Sequence, residues 1–340
     1  MEGKLWDYLL SKSSREGKIN SVSIEITRDC PFNCLHCYKT KSPAYISEPV
    51  FFRIIKQAED AGATSISFNG GEPFSHYNII PFTEEVVKKG FFLTILTNGF
   101  NLELPETLIS HNALRFQISI YGSDDKTSEF ITGVPESFSR VMKNILRIRD
   151  LGGEVSVTVS ALETPENEPW NVISFLEKEE IPWNLTDVIS TSENGDGAHL
   201  IYRPDENFLM KILAVAGPMY FKELNVSSDC KVNSTAACGA GVSSLAVNTS
   251  GDVFPCLVFQ QKLGNILSEN LKTILESKKL AEFRESNILP EKCRTCNLYN
   301  FCSRCPGTVR YDLGQGNVVN PENCRIAAIK NKFLVYSEGK

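Results

Sequence analysis

Between Ser21 and about Val188, short runs rich in β-branched and aromatic residues alternate with longer stretches whose apolar positions recur at helical spacing. The pattern predicts six strands, at 22–27, 65–68, 91–96, 115–120, 154–159 and 183–188. Helices are expected between them at 50–61, 80–89, 105–110, 138–151 and 171–179, several closed by Gly62, Gly90 or Gly152 as stop signals. Strand precedes helix throughout. Parallel strands joined by right-handed crossovers either spread into a doubly wound sheet or curl into a barrel, complete or partial. Either way chemistry gathers at the strands' C-terminal ends. There the chain places a cysteine loop after strand one, "NGGEP" after strand two, "TNG" after strand three and "SIYGSDD" after strand four.

The alternation breaks at "STSENGDGAHLIYRPDE", residues 190–206, which leads into one amphipathic helix at about 205–216. Four parts are expected: an N-terminal extension (1–20), a barrel (21–190), a linker with its bridging helix (191–229) and a cysteine-rich domain (230–340). The last region reads as turns and short elements that depend on metal. The fold class is α/β, a partial (β/α)6 TIM-type barrel followed by that domain.

Composition narrows the function. A net charge of −6 without a basic run gives no footprint for nucleic acid. No apolar stretch reaches bilayer length, so neither membrane nor signal segment is expected and the location reads as cytoplasmic. Eleven cysteines are the anomaly. In a reducing compartment such thiols serve metal or catalysis more often than disulfides, and the odd count would strand one of them.

Cys30, Cys34 and Cys37 form C-x3-C-x2-C on a loop whose Pro31 discourages helix. Three thiolates leave the fourth corner of a 4Fe-4S cube open to a small molecule. Zinc is the alternative, but a structural zinc site closes with four ligands, and His36 lies too near its neighbours to be a comfortable fourth. The motif resembles the signature of the radical SAM family, and "NGGEP" resembles that family's GGE segment. The resemblance implies that Gly70 and Gly71 approach the methionyl ammonium of S-adenosylmethionine with their backbone, and that Glu72 adds charge there. It also implies that Ser119 contacts the ribose, Arg140 the carboxylate and His36 the adenine, with Asn69 a weaker contact. Singly, Ser119 and Arg140 also read as an ordinary strand-end hydroxyl and a solvated helix arginine, and Asn69 as a turn residue.

Farther on, Cys238 and Cys256 flank a hairpin expected to turn at Ser250-Gly251-Asp252. Cys293-x2-Cys296-x5-Cys302-x2-Cys305 and Cys324 follow. This resembles the SPASM extension of peptide-modifying radical SAM enzymes, which carries two auxiliary 4Fe-4S clusters. By that resemblance Cys238, Cys256 and Cys305, with Cys230 as a fourth ligand or else a free thiol, hold cluster I. Cys293, Cys296, Cys302 and Cys324 hold cluster II, which makes three clusters in all. Paired zinc knuckles are disfavoured, because five residues between the C-x2-C pairs are too few for a ribbon.

The family resemblance implies reductive cleavage of S-adenosylmethionine to a 5′-deoxyadenosyl radical, which takes hydrogen from a ribosomally made precursor peptide, most often to install a thioether or carbon-carbon cross-link. A small-molecule or tetrapyrrole substrate, a formylglycine-forming sulfatase maturase and a non-enzymatic metal module are the alternatives. An electron donor such as flavodoxin or ferredoxin is implied. Only 29 residues precede Cys30, so a separate peptide-recognition partner, or leader binding on the catalytic body, is expected. Asp187, Glu163 and Asp124, with Asp125, are the weak candidates for a proton acceptor on the rim.

Overall fold

The computed structural model describes residues 19–223 and 237–338. Six parallel strands, β1 (Ser21–Thr27), β2 (Ser65–Gly70), β3 (Phe92–Thr97), β4 (Leu114–Ile120), β5 (Glu154–Ser160) and β6 (Trp183–Thr186), lie side by side in chain order. Helical crossovers link them into a partial α/β barrel. Alternate side chains of a strand face opposite ways. One set, including Val22, Ile24, Ile66, Phe68, Leu93, Ile95, Phe116, Ile118 and Val157, is buried beneath the helices. On that side Phe51 and Phe82 stack at 3.8 Å. Each such aliphatic or aromatic side chain contributes about 1.5–3 kcal/mol on full burial, which is why apolar periodicity placed the strands to within a few residues.

The other face is polar. Ser67 Oγ donates to Ser23 Oγ at 3.0 Å, Asn69 Nδ2 to Ser23 Oγ at 2.7 Å, and Gln117 Nε2 to Thr158 Oγ1 at 3.1 Å. Ordinary TIM barrels fill their centre with branched apolar side chains. This one lines its concave face with hydrogen-bonding groups.

The expected barrel helices appear at Glu48–Asp60, Ile79–Lys88, Glu106–Ile109, Ser137–Asp150 and Pro169–Lys178. One more, Asp125–Thr132, occupies what reads in sequence as a rim loop. Its signal is local: the Asp124 carboxylate accepts from Thr127 N at 2.7 Å, the Thr127 hydroxyl answers in a capping box, and Gly133 closes the helix at φ 72°.

The sheet continues past the barrel. β7 (Ser244–Val247) pairs in parallel with β1, with Ser21 opposite Ser244, and antiparallel β8 (Asp252–Phe254) and β9 (Gly264–Asn265) follow. The expected hairpin is present, turning through Gly251 at φ 78°. At the sheet's other end the helix Glu206–Glu223 packs against the helix Pro321–Glu338. Lys330 of the latter pairs with Asp187, just beyond β6, and both side chains are buried. The cysteine-rich region therefore grips both edges of the incomplete barrel. Its 18-residue final helix corrects the expectation of short elements only. The segment was illegible because its buried face, Asn323, Ile326, Ala327, Ile329 and Lys330, includes an amide and a charge, so hydrophobic residues alone do not mark it as a helical stripe.

The polar segment 190–206 stitches the two parts together. Glu193 pairs with Arg28 and accepts from Thr40 N at 2.9 Å and Gln260 Nε2 at 2.6 Å. Asp312 accepts from Thr191 N at 2.8 Å and Arg203 Nη2 at 3.1 Å. Among the described residues no helix is long and apolar enough to cross a membrane.

Candidate active site

At the C-terminal rim of the strands the chain encloses a cavity of about 210 Å³, walled by Cys30, Cys34, His36 and Cys37 from the loop after β1. Asn69, Gly70 and Gly71 at the end of β2, Asn98 after β3, and Ser119 and Tyr121 at the end of β4 complete the facing wall. A larger groove of about 840 Å³ lies between the helices Ser137–Asp150 and Pro169–Lys178 and touches none of the cysteines. Volume does not locate the chemistry here.

The glycine pair fits the cysteine loop to the barrel. Gly70 has φ 145°, and a Cβ there would run into the Thr27 carbonyl; at Gly71 it would run into that of Asp29. Gly71 N donates to Thr27 O and Glu72 N to Asp29 O, each at 2.8 Å. The Glu72 side chain lies off the cavity wall. It is buried and accepts from Thr97 Oγ1 at 2.6 Å, Asn98 N at 2.7 Å and Phe74 N at 3.0 Å. Burial nevertheless pushes its carboxyl up to about 7, against those three donors.

The thiols are sheltered. Burial pushes Cys30 up to about 11 and raises Cys34 as well, with neighbouring cysteines adding to both. Bare thiols in such a place stay protonated and unreactive, so their use as ligands requires a metal to take the proton's place. Asn98 Nδ2 lies 3.7 Å from Cys30 Sγ as a donor. His36 is held neutral by burial, down to about 4, with His199 adding to the effect. Its ring sits 4.9 Å from that of Tyr121, and its Nδ1 is buried without a partner. Arg140 stands off this wall, exposed, with its guanidinium 4.4 Å from the Phe100 ring centroid.

Two further thiol groups lie in the C-terminal region. Burial pushes Cys256 up to about 11, and Cys305 and Cys238 act on it; Asn287 Nδ2 lies 3.7 Å from Cys238 Sγ. Burial also pushes Cys302 up to about 11, with Cys324 and Cys293 adding, while Cys293 is raised by burial and then by Cys324 and Cys296. Cys230 lies outside the described residues, as do most of the N-terminal extension and the end of the linker. Among the described residues no group of three or more His, Cys, Asp or Glu side chains is set to hold a single metal ion. Thiolates are the ligands that hold iron-sulfur clusters, each attached to a separate iron.

The candidate proton acceptors are committed elsewhere. Asp187 is paired with Lys330, Glu163 accepts from Asp205 N at 2.7 Å, Asp124 caps a helix, and Asp125 accepts from Ser139 N at 2.9 Å. None lines the cysteine cavity. Sequence reading overlooked Tyr121. Its position two residues after Ser119 put it on the same strand face, which was the available signal.

This geometry meets the comparisons with known proteins. A family model for the radical SAM superfamily matches residues 24–176, which makes the barrel a radical SAM domain. A second, for the SPASM iron-sulfur cluster-binding domain, matches residues 238–297. The chain thus carries a radical SAM domain, which binds S-adenosylmethionine, and a SPASM iron-sulfur cluster-binding domain. It is 22% identical to the AdoMet-dependent heme synthase of Methanosarcina barkeri, over 84% of this chain and 90% of that protein. It is 25% identical to the antilisterial bacteriocin subtilosin biosynthesis protein AlbA of Bacillus subtilis, over 84% of this chain and 66% of that protein. Among solved structures, Streptococcus suis SuiB bound to precursor peptide SuiA superposes with a TM-score of 0.68 at 16% identity, covering 93% of this chain and 78% of SuiB. Native anSMEcpe with bound AdoMet reaches 0.71 at 18% identity, covering 94% and 97% of the two chains. At these identities the structures show a shared fold.

Proposed function

We propose that the chain modifies a ribosomally synthesised peptide by hydrogen abstraction, installing a thioether or carbon-carbon cross-link. The observation that carries this reading is the polar concave face of β1, β2, β4 and β5 opening onto the three-cysteine cavity. An extended chain can find backbone partners along such a face. Likeness in fold to SuiB with its precursor peptide, and in sequence to AlbA, supports it.

In this reading Cys30, Cys34 and Cys37 hold a 4Fe-4S cluster with one open corner. When bound there, that cluster and S-adenosylmethionine supply the 5′-deoxyadenosyl radical. The chain's own residues orient and shield. Ser119, His36 and Asn69 line the nucleoside's side of the cavity, Gly70 and Gly71 bring backbone close, and Arg140, which leans over Phe100 off that wall, is the candidate for the carboxylate. Glu72 holds the loop that carries them. Cys238, Cys256 and Cys305, with Cys230, hold a second cluster, and Cys293, Cys296, Cys302 and Cys324 a third. An external flavodoxin- or ferredoxin-type donor and a separate peptide-recognition protein complete the system, in the cytoplasm. No general base is assigned.

A second reading, an anionic small molecule such as a tetrapyrrole, draws on Arg28, Lys39 and Lys41 in the cavity wall and on the heme synthase relatives. Arg28 and Lys39 are already paired with Glu193 and Glu25, so the peptide is preferred. Anaerobic co-expression with peptides encoded nearby, read by mass spectrometry, tests the choice. Loss of two hydrogens per event supports cross-linking. Unmodified peptides, with 5′-deoxyadenosine released only when a tetrapyrrole is supplied, overturn it.

A further inference from the structure

The three thiol groups differ in what else faces them. At Cys238 the added donor is a neutral amide, Asn287, and at Cys30 it is another, Asn98, with Lys41 Nζ held nearby on the Cys30 carbonyl at 3.2 Å. At the third group it is a cation. Arg304 sits between Cys302 and Cys305, and its backbone N–H donates to the Cys302 thiol. Its guanidinium is anchored at one end only: Nη2 donates to the Gly316 carbonyl and, at 3.4 Å, to that of Val318. Nε and Nη1 are buried and have no partner. Arg304 also enters no ion pair among the described residues.

A buried donor without an acceptor costs about 1–3 kcal/mol, and more when charged. A guanidinium clamped so that two of its nitrogens stay empty-handed therefore points to an acceptor that is not part of the chain. The residue is tethered beside the place where that acceptor would sit, since its own backbone N–H already meets the Cys302 thiol. Cluster sulfurs are such acceptors, and hydrogen bonds and positive charge beside them favour the reduced, more negative state.

We propose that Arg304 is a tuning residue for the cluster held by Cys293, Cys296, Cys302 and Cys324: its Nε–H and Nη1–H donate to the cluster's sulfur, and its fixed charge raises that cluster's reduction potential. The proposal rests on the ligand assignment of the preceding subsection. It gives the two auxiliary sites different electrostatic settings. One is met by a neutral amide, the other by a permanent cation that a lysine could replace in charge but not in its two-pronged reach.

The test uses the full chain, reconstituted anaerobically, with Cys30, Cys34 and Cys37 changed to Ala so that only the auxiliary sites contribute. Iron content and an EPR-monitored redox titration are measured for Arg304, Arg304→Gln and Arg304→Lys. The expected result is unchanged iron and, for Arg304→Gln, at least a tenfold smaller ratio of reduced to oxidised cluster at the poise that half-reduces the parent. That corresponds to about 59 mV for one electron. Arg304→Lys should fall between the two. Iron retained with an unmoved titration in either variant overturns the proposal. If the Gln variant loses iron, the Lys variant decides. Independently of any variant, guanidinium 15N labelling of the parent should give a nitrogen coupling in the pulsed EPR of the reduced cluster, and its absence contradicts the proposal. Failure of the underlying assignment looks different: Cys302→Ala would then keep its full iron content.

Discussion

The barrel and the segment 291–305 are held in opposite ways. In β4 alternate residues, Leu114, Phe116, Ile118 and Ile120, are buried beneath helices, so the strand's place follows from apolar area alone. Across 291–305, which carries four of the cysteines, Phe301 alone is buried, and the only regular structure is a four-residue helix and a three-residue turn. A segment with so little to bury cannot offset the entropy of ordering its backbone. The difference teaches that the barrel can stand without metal, whereas the thiol-bearing segment depends on it.

The largest effect expected from this contrast is functional. Cys34→Ala should reduce anaerobic release of 5′-deoxyadenosine by at least about 10³-fold, while thermal unfolding of the barrel barely moves. A large loss of barrel stability in that variant would break the comparison. Next comes metal removal. Anaerobic chelation of iron should strip hydrogen-exchange protection from 291–305 by about 10²-fold or more, and leave β1 to β5 protected. Equal loss in both regions would mean that the metal supports the whole fold.

The tie between the two regions can be cut on its own. Lys330→Met leaves Asp187 buried and unpaired, which should cost about 3–5 kcal/mol in denaturant unfolding. Because the defect is an orphaned charge rather than lost packing, adding Asp187→Leu should restore most of it. If the double variant is no better than the single one, the pair is not what docks the final helix.

The smallest effect is a pH slope at the seam between cysteine loop and barrel. The Glu72 carboxyl sits at about 7 in the folded chain, above its ordinary 4.5. The folded state therefore binds more protons between those values, so stability falls as pH rises through that window and levels off above it, by up to about 1.4 kcal/mol per pH unit. Glu72→Gln should flatten the slope, measured as unfolding midpoint against pH from 4.5 to 7.5. An unaltered slope would place the proton elsewhere.

The same contrast explains what was legible. β1 to β6 and their helices follow from apolar runs punctuated by glycine. The pairing of β7 with β1 does not, because four residues, "SLAV", joining a strand more than two hundred positions earlier leave no local trace. The helix Asp125–Thr132 hid because its cap uses Asp124 and Thr127 in place of the commoner Ser-x-x-Glu pattern. At the site, the family resemblance pointed to Cys30, Cys34, Cys37, His36, Asn69, Gly70, Gly71 and Ser119, and the fold sets them around one cavity. The resemblance could not tell which way a rim side chain turns. Glu72 folds back to Thr97 and Asn98, Arg140 leans over Phe100, and Asp187 turns to Lys330.

The most direct test of the account is the EPR spectrum of the reduced, iron-loaded chain before and after addition of S-adenosylmethionine. The account predicts that the signal of one cluster shifts on addition, and that this signal is missing from the Cys30→Ala, Cys34→Ala, Cys37→Ala chain while the remaining signals stay as they were. A spectrum that ignores S-adenosylmethionine, or a shift that survives loss of those three thiols, would contradict it.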